Sequence, residues 1–117
     1  MDNKQFGKEL ETRTRKFAVR IIRLSAGLPN TEEGKVIRHQ ITKSGTSIGA
    51  NYREANRSRS RADFHKRIDI CESEASDTQY WLEVIVEVGW LSWNEVKSQY
   101  EKCSELLAIF TSVGTKK

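Results

Sequence analysis

The chain predicts an all-α protein, an antiparallel four-helix bundle running up-down-up-down. Three observations carry that prediction. Apolar residues recur at steps of three and four through most of the 117 residues, the spacing of helices that each bury one face. A single proline, Pro29, leaves long stretches free for helix. No strand-like alternation competes, and short connections between long helices favour antiparallel neighbours. A chain of this length makes one domain, 1–117, with helices expected over about 4–27, 31–57, 61–88 and 93–113.

In the first segment Phe6, Leu10, Phe17, Ile21, Leu24 and Leu28 form the apolar stripe, and Gly27 with Pro29 ends it. Asn30, with Glu33 three residues on, is the expected cap of the second helix. Its core stripe reads Ile37, Ile41, Ser44 or Gly45, Ile48, Asn51 or Tyr52, and Ala55. Gly45 and Gly49 stand four apart, but no Gly-Lys-Ser/Thr ending follows, so they read as close helix packing rather than a phosphate loop. Ser60 caps the third helix, with Asp63 reaching back. Phe64, Ile68, Cys71, Ala75, Thr78, Leu82 and Ile85 then alternate steps of four and three, a bundle seam. Gly89 supplies the left-handed residue of a Schellman ending that brings Trp90 back on Ile85. Ser92 and Glu95 form a capping box, with Leu91 stapled onto Val96. The fourth helix buries Val96, Tyr100, Cys103, Leu107 and Phe110.

Several function classes find no support. No apolar run reaches membrane-spanning length and the N-terminus lacks a secretory signal's apolar region, so the cytoplasm is expected and no membrane partner. Cys71 and Cys103 sit on core stripes and suit a reducing compartment as small apolar groups. Neither His39 nor His65 has a Glu three residues before it, as inward-facing di-iron ligands require; Val36 and Ala62 stand there. No serine sits in a nucleophile elbow. The expectation is therefore no enzyme, no catalytic residue, no metal and no cofactor.

Charge is more informative. Arg13, Lys16, Arg20 and Arg23 share one face of the first helix, and Arg53, Arg57, Arg59 and Arg61 surround the second connection. Glu72, Glu74, Asp77, Glu83 and Glu87 form an acidic block on the third helix. One reading has these faces satisfy each other, within the bundle or between subunits. The other makes the eight basic residues a phosphate-binding surface that contacts RNA or DNA without reading sequence. Aromatic residues near those arginines number only Tyr52 and Phe64, and Phe64 reads as buried. The third helix also carries surplus apolar surface, with Trp81, Val84 and Val88, joined by Trp93, as a candidate self-association face. Asn51 points to the core side, either hydrogen-bonded to a facing helix, with Ser73 a candidate partner, or contacting a ligand.

The order Ser47-Ile48-x-x-Asn51-x-x-Glu54, followed by Ser60-x-x-Asp63-Phe64, resembles a four-helix bundle family first noticed in intervening sequences of bacterial 23S ribosomal RNA genes. The resemblance extends from about Thr12 to Leu91, with Leu28-Pro29 before the second helix and Ile70 through Leu82 in the third. It implies that Ser47, Asn51, Glu54, Asp63 and Phe64 are signature positions. It also implies a homo-oligomeric ring, a homopentamer, because members of the family assemble as rings of five. A related bundle, the accessory protein of diversity-generating retroelements, forms a similar barrel that binds nucleic acid and a reverse transcriptase. The implied partners are thus the chain itself, RNA or DNA, and a larger nucleic-acid-processing protein. Two functional readings follow: a non-enzymatic oligomer that binds nucleic acid nonspecifically as an accessory factor, or a structural and protein-interaction scaffold.

Overall fold

The computed structural model describes residues 3–115, which form four α-helices and no strand: α1 Asn3–Ala26, α2 Glu32–Asn56, α3 Arg61–Val88 and α4 Trp93–Thr115. Helices of 23 to 28 residues are roughly 35–42 Å long at about 1.5 Å per residue. That accounts for the longest dimension of 44 Å. Each helix packs on its neighbours in sequence, and α4 returns to α1 in the sparsest of the four contacts. Among the described residues no helix is long and apolar enough to cross a membrane.

Local chemistry sets most helix ends. The Asp63 N–H donates to Ser60 Oγ at 3.0 Å, capping α3. Gly89 closes that helix at φ 88°, with its N–H on the Val86 carbonyl and the Trp90 N–H on that of Ile85, the two bonds of a Schellman ending. Before α4 the Ser92 N–H donates to Glu95 Oε1 at 3.0 Å and the Glu95 N–H to Ser92 Oγ at 3.3 Å, a reciprocal box. The start of α2 corrects the expectation. Thr31, not Asn30, is the cap: its extended backbone precedes the first Lys35-to-Thr31 turn, and its hydroxyl accepts from the Gly34 N–H at 3.0 Å. Arg38 Nη2 reaches back to the Leu28 and Pro29 carbonyls and ties the α1–α2 connection down.

The core runs the length of the four helices. Leu10, Phe17 and Ile21 of α1, Ile41, Ile48 and Tyr52 of α2, the seam from Ile68 to Ile85 of α3, and Val96, Cys103, Leu106 and Phe110 of α4 are all buried. Several expected positions differ. Phe6 is 40% exposed, because it borders an open hollow at the end of the four helices. Thr14 and Leu106 take core places that the apolar stripes omitted. Leu24, Ile37, Phe64, Tyr100 and Leu107 are only partly buried at the margins. Tyr52 rather than Asn51 fills the inner position of α2, and its ring lies 5.7 Å from that of Phe110.

Polar groups inside this core are satisfied across helix pairs. The Ser44 and Thr78 hydroxyls meet at 2.9 Å between α2 and α3, and Thr78 Oγ1 lies 2.8 Å from the Glu74 carbonyl. The Cys71 thiol donates to the Ile48 carbonyl of α2 at 3.4 Å, and Cys103 of α4 to that of Ala75 at 3.1 Å. Burial pushes both thiols up from 9.0 to about 12, which keeps them neutral donors. The two cysteines are free.

The backbones of α1 and α2 approach closely. A methyl group added at Gly45 would lie 2.7 Å from Ile21 Cγ2, and one at Gly49 3.1 Å from Thr14 Oγ1. Small residues four apart therefore let α2 press into α1. Gly45→Ala should destabilise by about 1–3 kcal/mol through overpacking, despite its better helix propensity. A urea midpoint equal to that of the unchanged protein would show that the two helices separate freely at this crossing.

The thiols set a second expectation. Above about pH 9 they ionise in the unfolded chain but not in the folded one. A raised folded pKa contributes stability that is complete below pH 9 and lost as pH rises toward 12. The urea midpoint should fall over that range, and the double variant Cys71→Ala, Cys103→Ala should flatten the decline.

Candidate nucleic-acid interface

Because α1 is pressed against α2, its other flank meets α4 loosely, and a groove runs along that seam. Arg13, Lys16 and Arg20 of α1 line it with Lys102 of α4, over a floor of Phe17 and Leu106. Arg13 Nη2 lies 3.5 Å from Glu105 Oε2 and Arg20 Nη1 donates to Ser98 Oγ at 3.4 Å, so both side chains are drawn across the seam toward α4. Further along, Arg20 and Arg23 border a shallower hollow with Leu24, Leu91, Glu95 and Gln99. Three of the four α1 cations thus enter one groove and Arg23 extends it. Lys102 was absent from the sequence reading; it belongs to no charge block and gains meaning only from facing α1.

The other arginines lie elsewhere. Arg53 lies on the α1–α2 flank, 3.8 Å from Glu11 Oε1, in a hollow with Arg15, Ala18 and Gly49. Arg57, Arg59 and Arg61 are exposed on the α2–α3 connection. The eight basic residues therefore fall into three places rather than one surface. Two acids of the α3 block meet hydroxyls of α4: Thr111 donates to Glu72 Oε2, and the Tyr100 hydroxyl to Glu83 Oε2 at 2.9 Å. Neither the Arg13–Glu105 nor the Arg53–Glu11 pair involves that block.

The apolar residues expected at a self-association face also divide. Trp81 packs on the core, and Val84 is half-buried. Val88 is 54% exposed, and Tyr80, edge-on to Trp81 at 4.9 Å, is 57% exposed. Trp93, 44% exposed, meets Tyr100 edge-on at 5.3 Å and so belongs to the α3–α4 side, where the Tyr100 hydroxyl donates to Glu83. Val36 of α2 is a further exposed apolar residue that the sequence reading did not single out.

No three His, Cys, Asp or Glu side chains among the described residues come together as a metal-holding group. At the end where α1 and α3 begin and α2 and α4 finish lies the roomiest hollow described, about 560 Å³, lined by Asn3, Phe6, Tyr52, Asn56, Arg61, Phe64, His65 and Val113. The sequence reading missed it because its walls come from four separate helices.

Four helices around one apolar core define a small all-α protein. The family described as 23S rRNA-intervening sequence protein matches residues 9–112, and the chain belongs to it. A solved structure from Bacteroides thetaiotaomicron, described as a protein of unknown function from the S23 ribosomal protein family, is similar to this chain at 35% identity. The likeness covers 93% of this chain and 97% of that one, with a TM-score of 0.86. No curated protein matches.

The signature positions have a common place, the α2–α3 hairpin. Asn51 Nδ2 donates to the Ser47 carbonyl at 2.9 Å, and its Oδ1 accepts from Arg67 Nη1 of α3 at 3.1 Å. Arg67 is thus the partner in the facing helix, and Ser73, the candidate, is exposed. The Glu54 carbonyl accepts the Arg57 N–H at the end of α2, while the Glu54 side chain is exposed. Asp63 supplies the N–H that Ser60 caps, and Phe64 packs at the edge of the core beside the end hollow. Asn51→Ala and Arg67→Met should each destabilise by about 1 kcal/mol at this half-buried site. The double variant should lose less than the sum, since the two side chains share one bond. Additive losses in urea denaturation would place the contribution of each residue outside that bond.

Proposed function

We propose that the protein is a non-enzymatic, self-associating accessory factor that binds nucleic acid through its basic seams without reading sequence. The observation that supports this best is the α1–α4 groove, where four cations meet and Glu105 is the acid in contact with one of them. Guanidinium and ammonium groups so arranged neutralise successive phosphates and release condensed counterions. The family description names 23S rRNA intervening sequences, which makes RNA the first probe.

In this reading residues 1–117 form one antiparallel up-down-up-down bundle that works in the cytoplasm. The meeting of the first turns of α1 and α3 with the last turns of α2 and α4 supports that direction of the helices. Five copies close into a ring, multiplying the weak contacts of one copy. Exposed Val36, Tyr80 and Val88 supply apolar surface for such contacts. A larger nucleic-acid-processing protein is the partner this accessory serves. The scaffold reading draws on the same apolar surface and is the alternative outcome of the test.

Fluorescence anisotropy with RNA and DNA at low salt, alongside light scattering for the mass of the particle, tests the proposal. Binding should fall steeply with salt, and replacing Arg13, Lys16 and Arg20 together by Ala should weaken it and flatten the salt slope with helicity unchanged. If no nucleic acid binds tighter than about 100 μM, the weak end of nonspecific binding, the scaffold reading stands. A monomer at micromolar concentration removes the ring.

A further inference from the structure

We propose that the hollow at the α1 N-terminal end receives an unstacked base of a single strand, while the α1–α4 groove holds that strand's phosphates. The inference rests on the nucleic-acid reading above and adds what part of the polymer each site takes. At about 560 Å³ the hollow is within the range of small-molecule sites, whereas the groove, at about 100 Å³, suits a phosphate but not a base.

The walls of the hollow favour a flat ring. Phe6 and Phe64 contribute aromatic surface beside the buried Tyr52, and the Tyr52 and Phe64 rings are held in place. Tyr52 rests on Phe110 at 5.7 Å, and Phe64 has the His65 ring edge-on at 5.6 Å and 79°. Preset rings of this kind stack any base with little sequence preference. Burial raises the Tyr52 pKa, so its hydroxyl stays neutral and adds no anion to the site. Asn56, fixed by its Nδ2 bond to Glu11 at 2.8 Å, and Asn3 offer amides to a base edge. Arg61 is the charged residue of the lining, and Arg57 and Arg59 precede it on the same connection. An occupant must therefore combine a planar ring with an anion.

The hollow and the groove also share one line of α1. Phe6, Arg13 and Arg20 are spaced by seven and lie along one line of α1, each step about 10 Å. A ligand that follows this line presents a ring at one end and repeated negative charge beyond it. Single-stranded nucleic acid does both. A duplex keeps its bases stacked inside and can use only the groove.

Three labelled probes separate the two sites by anisotropy at low salt: a twelve-nucleotide thymidine strand, an abasic strand of the same length and a twelve-base-pair duplex. The thymidine strand should bind about 5-fold or more tighter than the abasic strand, the size of one stacked base. Phe6→Ala should erase that difference and Phe6→Trp should keep it; Phe6 is exposed enough for both to fold, which circular dichroism checks. Arg61→Ala should narrow the difference, whereas Arg20→Ala should weaken both strands alike. Equal affinity for thymidine and abasic strands, or a difference that survives Phe6→Ala, overturns the base pocket while phosphate binding stands. Failure of all three probes to bind overturns both readings together.

Discussion

The contact between Gly45 and Ile21 governs the placement of α1, and much of the surface follows from it. With no room for even a methyl group at that crossing, α1 lies deep against α2. On its other side α1 meets α4 in the loosest contact of the four neighbouring pairs. That seam stays open to water, which is why Arg13, Lys16 and Arg20 can crowd one helix face beside Lys102. Solvated cations repel each other only weakly, whereas a tight apolar interface there would have required burying them.

The interior, by contrast, has been made chemically quiet. Its thiols and its Ser44 and Thr78 hydroxyls have structural partners. The Cys71 and Cys103 thiols donate to carbonyls of neighbouring helices, Ser44 meets Thr78, and burial holds the thiols neutral. These bonds join α2 to α3 and α3 to α4, so they help set which helix faces which. A polar group satisfied in this way costs little to bury and penalises any register that would leave it unpaired.

The basic residues gain distinct roles from their separation. The groove sets Arg13, Lys16 and Arg20 along α1 beside Lys102. Arg61 lies instead beside aromatic rings, a different chemical setting from the groove. Arg53, facing Glu11, contributes to the α1–α2 flank. Glu83 and Glu72 of α3 accept hydroxyls from Tyr100 and Thr111 of α4.

Helix number, helix ends and most of the core stripe were legible in the sequence, because each depends on residues within one or two turns. Ser60, Gly89 and the Ser92–Glu95 pair act over three or four positions, and Gly45 with Gly49 announced a close crossing. The shift of the α2 cap to Thr31 escaped because two adjacent polar residues offer equal local chemistry, and the backbone path from Pro29 chooses between them. Other features join residues far apart in the chain: Arg67 on Asn51, Lys102 opposite Lys16, Phe6 beside Tyr52 and Phe64. Periodicity states which face of a helix is apolar, but not which neighbour that face meets or where the neighbour stops. Only the packed helices decide that, since the distances across a seam or around an open end are set by side-chain volume and backbone approach rather than by spacing along one chain segment.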